Sequence, residues 1–277
     1  MFKLVGTLFS LGVLASGGWW VWNNVPEARN FIEARIDSQG FHTLEVRHTA
    51  DQIMQAHADE LLKDEAHSFR RPTLLFQPYL LMEVKYTGSS GNTNEGVILW
   101  SLESGEMVVD ATTWEMTHGF QDCINAKASR NDFRVLTALA DNHTSLRRDA
   151  LAEKLHVDLD IVDTWLDSCR QKKLIVQCGG NYRLHFQNPR LSVSPQTHLN
   201  QRLVTKPYKH AERIPRRYSI HQIEALAQCA FGNDFTIRHS KEVYLPVYSI
   251  VVQNPDGTRL TSYWNALNGK PLEKSIF

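Results

Sequence analysis

The chain has 277 residues, 30 Lys+Arg against 30 Asp+Glu and a pI near 7.2, which excludes a globally basic nucleic-acid binder. Apolar residues at 42% and charged residues at 22% exclude a disordered, collagen-like or coiled-coil chain. Four cysteines in this length do not make a disulfide scaffold; none forms a CxxC and no His pair sits beside them at zinc-ligand spacing.

Leu4 to Trp22 holds no charged residue, and nineteen residues at about 1.5 Å each span a hydrocarbon core of roughly 30 Å. Trp19, Trp20 and Trp22 close the run with interfacial aromatics. The pattern predicts a membrane anchor over 1–24 and a single-pass membrane protein. A cleaved signal peptide, with Val13-Leu14-Ala15 at the cleavage site, is the rival reading; the apolar run continues past that site, which favours a retained anchor. Lys3 before the span and Arg29 and Arg35 after it nearly balance, so orientation rests on a narrow margin toward a cytoplasmic soluble part.

Residues 25–125 read as a first α+β unit. Pro26 starts a helix that Gly40 follows, and Ala50 to about Lys63 forms a second helix. Thr73 to Tyr86 is extended chain interrupted by Pro78. Val97 to Trp100 and Met107 to Val109 are strands around the turn Glu103-Ser104-Gly105. The loop Gly88-Ser89-Ser90-Gly91-Asn92-Thr93-Asn94 leads into a strand, not a helix, so it reads as a hairpin turn rather than a phosphate cradle.

Residues 126–187 carry three helical stretches, Asn131–Asn142, Leu146–His156 and Leu159–Lys173. The strand Leu174-Ile175-Val176, the turn Gly179-Gly180-Asn181 and the alternation Tyr182, Leu184, Phe186 follow. This order over Arg130–Phe186, with Leu151-Ala152-Glu153-Lys154-Leu155-His156-Val157 and Lys172-Lys173-Leu174-Ile175-Val176, resembles the winged-helix domain. The resemblance implies DNA binding through the third helix. The residues depart from that pattern: at about 100° per residue, Asp160, Asp163 and Asp167 share the face opposite the apolar one. Carboxylates there repel phosphate, so the expected role of that face is protein contact.

Residues 188–218 read as a basic linker. Between Gln187 and Tyr218 lie seven cations, Arg213, Arg216 and Arg217 among them, against Glu212 alone. Such a stretch suits an acidic protein face, anionic lipid or nucleic acid, or is simply solvated.

Residues 219–277 read as a second α+β unit that repeats the first. Gln222-Ile223 matches Gln52-Ile53, Pro246 matches Pro78, Trp264 matches Trp100, and a Gly stands five residues past each Trp, at Gly105 and Gly269. Asn254-Pro255-Asp256-Gly257 and Asn268-Gly269 supply hairpin turns. The close from Trp264 through Asn265-Ala266-Leu267-Asn268-Gly269-Lys270-Pro271 to Leu272 resembles PepSY-like α+β modules, which implies binding or inhibition of partners rather than chemistry.

The expected fold is therefore α+β: an N-terminal transmembrane helix, then two similar helix-plus-three-strand meander units flanking a winged helix. No HExxH, GxSxG, P-loop or dinucleotide fingerprint is present. His57 and Glu60, one helical turn apart, could begin a metal or acid–base site, but a single such pair is a weak signal and an exposed polar helix face is the favoured reading. The expected function is a membrane-anchored, non-catalytic interaction or assembly subunit without cofactor or metal. Its contacts are assigned to Asp160, Asp163, Asp167, Arg213, Arg216 and Arg217. Other proteins are the expected partners, with lipid or nucleic acid as options at the basic stretch and no small-molecule substrate. A membrane-anchored winged-helix DNA-binding regulator is the alternative.

Overall fold

The computed structural model describes residues 40–64, 66–88, 91–141, 145–186, 188–206 and 212–272. In chain order the elements are β1 (Phe41–Leu44), α1 (Ala50–Ala56), α2 (Ala58–Leu61), β2 (Ser68–Phe69), β3 (Thr73–Thr87), β4 (Thr93–Ser101), β5 (Met107–Asp110) and β6 (Glu115–Met116). Then come α3 (Phe120–Asn125), α4 (Arg130–Ala140), β7 (Leu146–Arg147), α5 (Arg148–Leu155), α6 (Leu159–Gln171), β8 (Ile175–Cys178) and β9 (Asn181–Leu184). The last are β10 (Leu203–Lys206), β11 (Glu212–Arg213), α7 (Ile220–Phe231), β12 (Thr236–Gln253), β13 (Arg259–Asn265) and β14 (Pro271–Leu272).

Local chemistry sets the helix starts. Thr49, Ser129 and Ser219 each cap a helix through a reciprocal box with Gln52, Asp132 and Gln222, which pairs amides that the first turn leaves orphaned. The helix expected over Ala50 to Lys63 is divided at His57, whose φ of −116° leaves the helical region and whose ring packs at a tilt, 4.4 Å from that of Trp264. Pro78 does not interrupt β3. It lies opposite Tyr244, and its carbonyl accepts from Leu102 N at 3.0 Å.

One 11-stranded sheet organises the molecule, with the path β10-β1-β12-β3-β4-β5-β6 and β13-β14 joined through β12. The long strands β3 and β12 run antiparallel down its middle, with Gln77 opposite Leu245. On either side of that pair the same pattern recurs. Trp100 pairs with Leu80 and Met107, and Trp264 pairs with Tyr248 and Pro271. Leu102 N bonds Pro78 O, and Ala266 N bonds Pro246 O at 3.1 Å. The two halves are related by a pseudo-two-fold axis at the Gln77–Leu245 pair.

The helices are exchanged between the halves. The backbone entering α1 bonds the second half: Arg47 N and His48 N reach Ala266 O at 3.0 and 2.9 Å. Ile53 of α1 is then buried with Ile250 and Trp264. The backbone entering α7 bonds the first half: Arg217 N and Tyr218 N reach Leu102 O at 2.9 and 2.8 Å. Ile223 of α7 lies in the cluster that holds Trp100. Each fully buried isoleucine contributes about 1.5–3 kcal/mol of apolar burial, and it does so in the half that did not supply it.

These findings correct the expected fold class. The molecule is mixed α/β around one large curled sheet, not a winged helix set between two self-contained units. The physical reasons are the shared β3–β12 ladder, the exchanged helices and a common core. Phe133 and Leu136 of α4, Leu166 of α6, and Leu80 and Met82 of β3 belong to one buried cluster. The stretch read as a basic linker over 188–218 carries two strands of the sheet, β10 on β1 and β11 on β3. The single-pass membrane assignment is corrected too: among the described residues no helix is long and apolar enough to cross a membrane. The run Leu4–Trp22 and the helix expected after Pro26 lie outside the described residues.

Candidate functional site

The acidic residues expected to make contacts lie on α6. Asp160 is exposed, Asp163 pairs with Arg148 at 3.1 Å and Asp167 with Arg170 at 3.2 Å. Two of the three carboxylates are therefore already matched by cations from the same helical region. The three arginines do not gather into an exposed patch. The Arg213 guanidinium lies over the Tyr244 ring at 5.9 Å. Arg216, only 7% exposed, approaches Glu242 at 3.6 Å, and Glu242 also accepts from Tyr244 OH at 3.0 Å. Arg217 lies over its neighbour Tyr218 at 5.4 Å. The acidic and basic sets sit on separate elements, and nothing joins them among the described contacts.

His57 Nδ1 lies 3.2 Å from Glu60, and its ring packs on Trp264. Among the described residues no group of three or more His, Cys, Asp or Glu is placed to hold a metal ion. Burial pushes the thiols of Cys123 and Cys169 far up, so neither is a ready thiolate.

A cleft of about 330 Å³ lies between the two halves. One wall is the turn after β5 together with β6, through Thr113, Trp114 and residues 116–118. The other is the β13–β14 hairpin, through Asn265, Asn268 and residues 270–272. Trp114 occupies the left-handed region at φ +61°, an uncommon conformation for a bulky side chain, and its ring meets Tyr79 edge-on at 5.5 Å. Asn268 Nδ2 bonds Thr112 O at 3.3 Å and ties the walls at one end. Asn265 is fully buried. Its Oδ1 accepts from Leu267 N at 2.9 Å, while Nδ2 has no partner among the described residues. A larger cavity of about 630 Å³, near Leu139, Ser145 and Phe186, has no such buried orphan atom in its lining.

The first half shows what the equivalent surface does there. In the repeat, Asn265, Lys270, Pro271 and Leu272 correspond to Ser101, Glu106, Met107 and Val108. The chain covers the last three of these with residues 115–121. Met116 pairs with Val108, and Thr117 N bonds Met107 O at 2.8 Å. Glu106 accepts from Thr117 Oγ1 at 2.8 Å and from the amides of Gly119, Phe120 and Gln121 at 2.9, 3.3 and 3.0 Å. Burial pushes the Glu106 carboxyl up against the pull of these hydrogen bonds. In the second half, the equivalent surface is a wall of the cleft.

Sequence reasoning missed this site. The signal was present: once Gly105 and Gly269 are aligned, the next residue reverses charge, Glu106 against Lys270. No protein-family model matches the chain, and no curated protein or solved structure matches it.

Proposed function

We propose that the protein is a non-catalytic interaction subunit that receives a polypeptide segment of a partner protein in the cleft between β6 and the β13–β14 hairpin. The observation that carries this reading is the repeat itself. The surface that residues 115–121 cover in the first half lines an open cleft in the second. A surface shaped for main chain in one half suits main chain in the other. The orphan Asn265 Nδ2 supports the same reading, because a buried unpaired donor costs about 1–3 kcal/mol that an incoming carbonyl recovers. The largely apolar neighbours Trp114, Met116, Pro271 and Leu272 supply area for contact.

The test is site-directed photocrosslinking in cells. A photoreactive amino acid at Met116 should trap a defined protein partner, and the adduct should disappear when Trp114→Ala is introduced. The same probe at Leu260, exposed on β13 away from the cleft lining, should not trap that partner. Equal trapping at both positions, or none at Met116, would overturn the reading.

A further inference from the structure

Resting on the reading that the cleft receives a polypeptide segment, we infer that this segment presents a carboxylate, which pairs with Lys270 while a carbonyl oxygen accepts from Asn265 Nδ2. The repeat states the chemistry by inversion. In the first half the two polar residues of this surface are acceptors. Ser101 Oγ accepts from Ser104 N at 3.0 Å and Glu103 N at 3.3 Å, and Glu106 accepts from one hydroxyl and three amides. The segment over Glu106 therefore presents donors, whereas Ser101 takes its donors from its own turn.

In the second half the polarity reverses at Lys270, the counterpart of Glu106, while Asn265 Oδ1 accepts from its own turn as Ser101 Oγ does and leaves its Nδ2 as a further donor. Asn265 Nδ2 is buried and unpartnered among the described residues, and Lys270 carries three N–H groups on an exposed ammonium. The matching segment must present acceptors. Its charge follows from the lining, in which no described residue is Asp or Glu. Glu115, the acidic residue nearest in sequence on the β6 wall, is engaged by Arg190 instead. Among the described residues neither wall supplies a counter-charge for Lys270, so a carboxylate on the occupant has an unpaired ammonium to meet. A charge-assisted bond from ammonium to carboxylate is roughly twice as strong as a neutral one, and a partly enclosed rim is screened less than open surface.

The probe is the protein's own covering segment, recast for the opposite polarity. A fluorescein-labelled peptide copying residues 112–121 carries Gly119→Glu, because the Gly119 amide makes the shortest of the three backbone bonds to Glu106, the counterpart of Lys270. A second peptide carries Gly119→Gln. Anisotropy titrations use the full chain. The glutamate peptide should bind roughly three- to ten-fold more tightly than the glutamine peptide, with the difference shrinking at high salt. Lys270→Glu should abolish or reverse that preference. Equal binding of both peptides would sink the carboxylate inference and leave the cleft as a peptide site. Failure of both peptides to bind would overturn the inference together with the reading beneath it.

Discussion

Gln77 of β3 lies directly opposite Leu245 of β12, and each is the other's counterpart in the repeat. A residue paired with its own equivalent marks a two-fold axis through an antiparallel ladder. The chemistry at that axis is unequal. Leu245 is fully buried among apolar neighbours, whereas both amide atoms of Gln77 are buried with no hydrogen-bond partner among the described residues. Tyr79 and Leu81 share the Gln77 face and belong to the cluster that contains Val243 and Leu245.

Gln77→Leu should therefore stabilise the fold. It removes a buried unpaired amide, worth about 1–3 kcal/mol, and restores symmetry at the axis with a residue of similar volume. A urea titration should show a higher midpoint with an unchanged slope. A loss of stability would show that the amide is satisfied by a group such as bound water.

The two hairpin glycines should differ in cost. Gly105 and Gly269 both hold a left-handed backbone, at φ +77° and +70°, so alanine at either is strained by roughly 1–2 kcal/mol. At Gly105 a Cβ would also lie 2.7 Å from Ile124 Cδ1 and 3.0 Å from a Tyr218 ring carbon. At Gly269 the nearest atom is His48 Cγ at 3.5 Å, an ordinary contact. Gly105→Ala should thus lose about 1–3 kcal/mol more than Gly269→Ala, from overpacking against Ile124 of α3 and Tyr218 at the exchanged α7 entry. Equal losses in chemical denaturation would mean that Ile124 and Tyr218 yield freely.

The local part of this architecture was legible in the sequence because its causes are local. The Thr49–Gln52 and Ser219–Gln222 boxes sit three residues apart, and the hairpin turns need only Gly105 and Gly269. The exchange of α1 and α7 was not legible. It is decided by pairings such as His48 N with Ala266 O, which periodicity does not encode and which are far apart in the chain. The same holds for charge. Arg216 counts as linker cation in the sequence, yet Glu242 of β12 meets it in the fold. The cleft was half legible: the reversal from Glu106 to Lys270 is written in the repeat, but the coverage of one by residues 115–121 and the openness of the other are three-dimensional facts.

Glu103 should make stability fall as pH rises. Its carboxyl is pushed up to about 7 by burial, against the opposing pull of Arg217, and its Oε2 has no hydrogen-bond partner among the described residues. Below the ordinary value near 4.5 the group is protonated in both folded and unfolded chains. Between there and about 7 the unfolded chain releases its proton while the folded one keeps it, which favours unfolding. Stability contributed at low pH is therefore lost across that window. Glu103→Gln should flatten the melting temperature over the same range and gain most on the wild type near its upper end. Parallel curves for the two proteins would rule out a raised carboxyl at Glu103.

Asn265→Ser should separate folding from binding. Serine is the residue found at the repeat-equivalent position, where Ser101 Oγ accepts from backbone amides two and three residues ahead. A hydroxyl at 265 is placed to take over the bond from Leu267 N that Asn265 Oδ1 now accepts. The change also deletes the unpartnered Nδ2, whose burial is a cost to the free protein. Stability should then stay within about 1 kcal/mol of wild type in thermal or urea unfolding, since the lost packing and the removed orphan donor oppose each other. Binding should behave differently. The donor that an incoming carbonyl needs is gone, so the Gly119→Glu form of the 112–121 peptide should bind roughly five- to ten-fold more weakly. A variant that unfolds readily yet binds the peptide as wild type does would make Asn265 a structural residue of the hairpin and remove it from the site.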